Sequence, residues 1–503
     1  MIYSSLFVNF GQDVARDAYI TNQNIESKQY IVSYGPKASV WNFYLPPFYY
    51  QLHLFVSIIT GQAPLTMKWF ITIVESISPV LLFLILIRMT KPSVALLASC
   101  LYAFSPFVIF YSTNAWNPNL IPFFSILCLF SIIRHFQDKS KVAIIGIGLC
   151  LTVILHLHYQ GVVLIPIVFW AMVKSIYTAR SNIRYWFLVF IIGLISVTPY
   201  FYAEVKYDFH NTKKIVEFFS IEHSNYYDRV SKPAYLTDFI PGYFERAVRD
   251  LHTDYWLGRS ILVLGLAIAL GLSYKKNQAA SWVLLYFLTV LIMLRLYKGD
   301  KVDYYLNTMV FIPFIFMALI MDKIKFSAVI IFALIVFKTA PIYAKQTPLN
   351  DLDDLKTKIK LLEPMIKTDT IGLLFHDDDM INVYAYGLTY LSNLHVDQNS
   401  ANVLEICQKN VRCVYDGYFW CKPNQAYMYM SRLKNTLAYQ QDYFQIKDQM
   451  FVISNFNSNN SNGVLPQQTL SGYGSDFIIP RAIVTDTSDD YLPLQPSQIL
   501  DQN

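Results

Sequence analysis

Near its start the chain reads GQDVARDAY, residues 11–19. Asp13, Arg16 and Asp17 stand at i, i+3 and i+4, so on a helix they share one face. A carboxylate beside a guanidinium can serve as a general base, because the cation orients it and favours its ionised form. On a solvated helix the same trio is an ordinary weak ion pair. Further along, HLHYQ (156–160) offers His156 and His158. Two apart on a helix, they point in different directions and suit a metal less well than an i, i+4 pair. Their plainer role is as interfacial imidazoles bonded to water or backbone. Glu204 closes TPYFYAE (198–204), and Glu75 sits inside a long apolar run. An acid there is costly and is expected to face a bundle interior. HDDD (376–379) reads as a loop or helix cap, since consecutive acids cannot all converge on one ion. No cysteine pair has CxxC spacing, so no metal site is expected. Cys100, Cys128 and Cys150 lie in apolar runs. Cys407, Cys413 and Cys421 lie in a polar region that allows one disulfide in an oxidising compartment.

The elements that position these groups are membrane helices. Of 503 residues, 54% are hydrophobic and only 15% charged, against roughly 25% in a soluble domain. Aromatics reach 16%, suited to both membrane interfaces. The net charge of +5 lies mostly in short loops and carries no nucleic-acid footprint. Apolar runs near 67–87, 93–111, 118–133, 142–157, 161–174, 185–200, 259–273, 279–296, 304–321 and 326–343 read as spans. One alternate set of loops is basic throughout: Arg88 and Lys91; Arg134, Lys139 and Lys141; Lys174, Arg180 and Arg184; Lys275 and Lys276; Lys323 and Lys325. The positive-inside rule puts that set in the cytoplasm, and the long connections 201–258 and 344–503 outside with Asp13. An outside N-terminus leads to the expectation of an upstream helix missing from this chain, the alternative being translocation without one. The expected organisation is therefore an outer segment 1–66 with interfacial helices, a bundle of about ten helices over 67–343, a small α/β domain at 344–454 and a disordered polar tail at 455–503. In the α/β domain, strands are expected at 368–375, near 411–415 and at 450–454, with a helix near 380–393.

The order of these parts carries a resemblance. An acidic outer segment with Asp-x-x-Arg comes first, then GPKASVWNFYLPPFYYQLH (35–53), then SPFVIFYSTNAWNPNLIPFF (105–124) in a many-span bundle. Over roughly 11–345 this resembles the GT-C superfamily of integral membrane glycosyltransferases. Within it the chain is similar to the dolichyl-phosphate-mannose protein mannosyltransferases and the aminoarabinose transferase of lipid A. The resemblance implies an all-α polytopic bundle of GT-C type with an extracytoplasmic α/β domain. It also implies transfer of a sugar from a polyprenyl-phosphate carrier to a glycan, lipid or protein acceptor, on the outer side of the plasma membrane. Asp13 falls at the family's conserved acid, Arg16 at the arginine three residues on, and Asp17 beside them. Asp13 is then the base, with inversion at the anomeric carbon. Polyprenyl phosphate leaves readily, so one carboxylate and a few cations suffice, and no metal or other cofactor is expected. Lys37, Arg16, Lys298 and Lys301 are the cations for the phosphate. Tyr304 and Tyr305 resemble an aromatic motif near the carrier, and Tyr49, Asn117, His156, His158 and Glu204 are further substrate contacts. Where relatives often have an acid in the second outer turn, this chain has Asn114, Asn117 and Asn119; where one has a lysine, it has Leu45 and Pro46. The aromatic loop at 41–50 is expected to lie flat at the interface as one wall of a groove for the isoprenoid tail. A transporter or glycolipid flippase is the alternative; it asks for charges or broken helices at the midplane. A non-catalytic membrane partner is a third.

Overall fold

The computed structural model describes residues 10–38, 43–62, 64–220, 234–249, 255–297, 303–324, 352–366, 369–375, 381–396, 402–408, 438–446, 449–456 and 483–484. The chain divides into two compact units, Met1–Gln29 with Pro348–Asn503, and Tyr30–Thr347. The first 29 residues thus cluster with the C-terminal part rather than with the loop that runs to residue 66.

Tyr30–Thr347 is a helical bundle, and the chain is a multi-pass membrane protein. Among the described residues, six helices are long and apolar enough to cross: Thr66–Leu86, Asn117–Asp138, Tyr159–Thr178, Arg180–Lys206, Trp256–Tyr274 and Gln278–Leu296. Pro92–Ala103 and Pro106–Ser112 make a seventh if the 59° bend between them is one broken span. Two of the runs read as spans hold shorter α-helices. Val142–Leu157 is only 16 residues long. The 304–321 run begins as a 3-10 turn, Asp303–Met309, and its α-helix is the 12-residue Ile312–Lys323. That helix is buried all round from Ile312 to Met321, as expected of an element apolar on every side. The 326–343 run lies outside the described residues.

Local chemistry sets the breaks. Pro106 and Pro122 open their helices where the missing N–H costs nothing. The Ser105 side chain caps its helix by accepting from Val108 N at 3.3 Å, and its hydroxyl donates to Ala247 O at 2.6 Å. Close helix approach relies on glycine: a Cβ on Gly148 would stand 2.0 Å from Val189 Cγ1, and one on Gly265 2.3 Å from Phe316 Cβ. At one end of the bundle the basic loops are tied together. Arg88 donates to both Asp138 oxygens at 2.9 and 2.8 Å. Lys91 N donates to Asp322 Oδ1 at 2.9 Å, and Asn277 Nδ2 to Arg88 O at 3.2 Å.

In the other unit, the helices Gln12–Glu26 and Leu352–Leu362 each pack on Ile381–Leu391. Thr370–Phe375 pairs in parallel with His395–Val396, Asn402–Gln408 and Ile483–Val484. Gln449–Phe456 adds antiparallel to Asn402–Gln408 and carries Ala438–Ile446 on its other edge. The strand expected near 411–415 lies outside the described residues, as do HDDD and the tail from 457 to 482.

Candidate active site

Helix Gln12–Glu26 buries Val14, Ala15, Ala18 and Tyr19. Edge-on ring contacts seat it, Phe10 to Tyr386 at 5.1 Å and Tyr19 to Tyr390 at 5.4 Å. With that side fixed, Arg16 forks between the two acids. Its Nη1 donates to Asp13 Oδ1 at 2.7 Å, while Nε and Nη2 both donate to Asp17 Oδ1 at 2.9 and 2.8 Å. Side-chain exposures separate the roles: Asp17 1%, Arg16 14%, Asp13 41%. Asp17 anchors the guanidinium from below, and the guanidinium holds Asp13 at the surface. Asp13 also lies in the first helical turn, where the helix dipole favours a carboxylate.

The remaining candidates belong to the bundle unit, and several are committed to structure. Glu204 is 2% exposed, and its Oε1 accepts from Tyr34 Oη at 2.8 Å. Its Oε2 accepts from Thr212 N and Oγ1 at 2.8 and 2.6 Å. Burial, and then the bond to Glu204, pushes the Tyr34 phenol well above its ordinary range, so it remains a donor. Asn211 donates to Tyr44 O and to Tyr200 Oη, and Tyr159 Oη donates to Tyr44 O at 2.8 Å. These bonds fasten the pair of segments 34–38 and 43–46 onto helices Ile183–Lys206 and His210–Ser220 and onto Tyr159. Gly35 is required for their close approach, since a Cβ there would meet Pro46 O at 2.3 Å. Lys37 is half-buried and bridged to Tyr44. In the aromatic stretch, Phe43, Tyr44, Leu45, Tyr49 and Tyr50 are buried. Tyr49 packs on Tyr50 and His53 at 6.1 Å each. Asn117 Nδ2 donates to Leu157 O at 2.6 Å, closing the end of helix Val142–Leu157.

Three candidates do come together. His158 lies 5.7 Å from both the Tyr304 and Tyr305 rings, which are 4.6 Å from each other. Trp116, 4.9 Å from Tyr304, joins them. All four are half-buried, a surface on which a sugar face can stack. His158 Nδ1 accepts from Gln160 N at 3.2 Å. His156 turns elsewhere, with Nε2 3.2 Å from Ser196 Oγ and its ring 6.3 Å from Phe48. Lys298 and Lys301 lie outside the described residues. Among the described residues no three His, Cys, Asp or Glu side chains are grouped to hold a metal.

Sequence reasoning missed Trp116 and two buried cations, Lys68 and Arg246, 3% and 9% exposed. Lys68 starts the span whose far end leads to Arg88, so it lies at the end away from the basic loops. The signal was a lysine followed by a long apolar run, which reads as an ordinary snorkelling flank. Arg246 sits in helix Ile240–Arg249, whose Tyr243 Oη donates to Leu306 O at 2.9 Å.

The bundle can be compared with known proteins. ArnT from Cupriavidus metallidurans bound to undecaprenyl phosphate superposes with a TM-score of 0.54 at 11% identity, covering 91% of this chain and 96% of that one. Its apo form gives 0.53 at 11%, covering 89% and 94%. The Archaeoglobus fulgidus oligosaccharyltransferase in complex with zinc and sulfate gives 0.45 at 12%, covering 78% and 58%. No curated protein sequence matches the chain. The family model of dolichyl-phosphate-mannose-protein mannosyltransferase matches residues 45–202. Residues 45–202 thus match the model of that mannosyltransferase family, within a polytopic chain that shares the fold of ArnT.

Proposed function

We propose that this protein transfers a sugar from a polyprenyl-phosphate carrier to an acceptor hydroxyl on the extracytoplasmic face, with Asp13 as general base and inversion at the anomeric carbon. Asp13 takes the acceptor proton as the acceptor oxygen forms its bond to C1. The C1–O bond to phosphate breaks with its electron pair, and the carrier leaves as a monoester dianion. Such a leaving group needs cations rather than a second acid. Arg16 positions Asp13, and Lys37, Lys68, Arg246 and Lys301 are the cations we assign to the phosphate. The His158, Trp116, Tyr304 and Tyr305 rings are assigned to the sugar, and the sheet-bearing unit to the extracytoplasmic side.

The observation that carries this reading is the Arg16 fork, which presents one half-exposed carboxylate on a buried charged anchor. The membrane family segment and the fold shared with an undecaprenyl-phosphate-bound protein support it. The test is to incubate membranes containing the protein with radiolabelled polyprenyl-phosphate sugars and identify the labelled product. Label that stays on the carrier lipid while it crosses the bilayer would favour the flippase reading instead, to which the 59° break lends some support.

A further inference from the structure

Inside the bundle, the broken span and two 3-10 turns, Asn117–Leu120 and Asp303–Met309, leave a small space beside Glu75. Its polar lining comes from Glu75, Tyr102, Tyr111, Ser112, Asn119 and Asn307, and there is room for roughly one water-sized occupant. Among the described residues, no lysine, arginine or histidine lines it. Glu75 is only 4% exposed. Its Oε1 accepts from Phe123 N at 2.9 Å and its Oε2 from Ser78 Oγ at 2.9 Å. Phe123 N belongs to the first turn of helix Ile121–Asp138, where the helix dipole favours an anion. Both bonds therefore suit the ionised carboxylate. An ionised acid inside a membrane bundle costs several kcal/mol unless a positive charge accompanies it.

The other lining oxygens are set up to meet such a charge. Asn119, 1% exposed, donates its amide to Asn114 O at 2.9 Å, which fixes Oδ1 as its remaining polar atom. That oxygen has no partner among the described residues, and neither Oδ1 nor Nδ2 of Asn307, also 1% exposed, has one, so no bond there opposes turning Oδ1 toward the space. One carboxylate and two neutral amide oxygens make an all-oxygen set of net charge −1. Irregular backbone lining a cavity within a bundle is where membrane proteins hold small ions. A divalent ion would call for more carboxylates.

We propose that the space between Glu75, Asn119 and Asn307 binds one monovalent cation, which neutralises the buried carboxylate and clasps the broken span to the two 3-10 turns. This site is independent of the transfer chemistry. The test uses the full chain in detergent, melted in choline chloride and then with NaCl or KCl replacing choline at constant ionic strength. A saturable rise in Tm of several degrees with Na⁺ or K⁺ is expected, together with about one ²²Na⁺ or ⁴²K⁺ retained per chain in equilibrium dialysis. The rise and the bound ion should disappear in Glu75→Gln and shrink in Asn119→Ala, which keeps the carboxylate should the first variant fail to fold. Identical melts in choline, sodium and potassium with no retained isotope would overturn the proposal, and so would undiminished ion retention in a folded Glu75→Gln.

Discussion

Replacing Asp13 by asparagine probes the proposed base directly, because the bond from Arg16 can survive the loss of charge. The amide oxygen of the Asp13→Asn variant can still accept from Arg16 Nη1 across the 2.7 Å contact. Asp13 is 41% exposed, so the lost charge pair is worth about 1 kcal/mol or less. The buried partner behaves differently. Asp17 is 1% exposed and receives two bonds from a guanidinium that is itself only 14% exposed. Asp17→Asn leaves that cation poorly compensated and should cost about 3 kcal/mol or more. For activity the order reverses. Removing a general base slows the chemical step by about 10²–10⁴-fold. The assay pairs initial rates of radiolabelled sugar transfer, at saturating donor, with thermal melts of both variants. Asp13→Asn should melt close to wild type yet lose at least about 100-fold in kcat. A variant that keeps its rate within a factor of about ten would remove Asp13 from the mechanism, whatever the fate of Asp17.

Three further outcomes are expected. Glu204→Ala strands the three donors from Tyr34 and Thr212 and should destabilise the protein by about 3–5 kcal/mol, visible as a large fall in Tm. Gly148→Ala drives a methyl into Val189 and should cost about 1–3 kcal/mol in the same melt, with a smaller loss in Gly148→Ala/Val189→Ala. His53 is buried beside Tyr49 in the 48–60 helix, and burial holds its imidazole neutral by pulling its pKa down to about 4. Because the unfolded chain then binds the proton first, stability is intact above about pH 6.5 and declines as pH falls toward 4. His53→Gln should flatten that part of the Tm-against-pH curve.

The sequence displayed its apolar runs well, and most of them became helices within a few residues of where they were read. Hydropathy registers composition but not backbone geometry, so it gave no sign of the 3-10 start to the 304–321 run. Tyr304–Met309 is as apolar as a helix start, yet it folds as a 3-10 turn that aims rings at His158. The spacing of Asp13, Arg16 and Asp17 announced a shared face, but only burial distinguishes the anchor from the presented acid. Glu204 and Asn117 looked like loose polar groups at helix ends; tertiary partners far off in sequence, Tyr34 and Leu157, occupy them. Lys68 was passed over for the converse reason, since a lysine flanking a span is ordinary until the fold encloses it.

The broken span carries a consequence for biogenesis. Ser105 at the break donates to Ala247 O, a partner 142 residues later in the chain. When residues 92–112 enter the bilayer during synthesis, that carbonyl has yet to be made. The span is inserted before its bend can be fastened, and the final geometry waits on the segment at 240–249. Mutations in that late segment would therefore register as an early span left unlatched, with the membrane insertion of residues 92–112 itself unaffected.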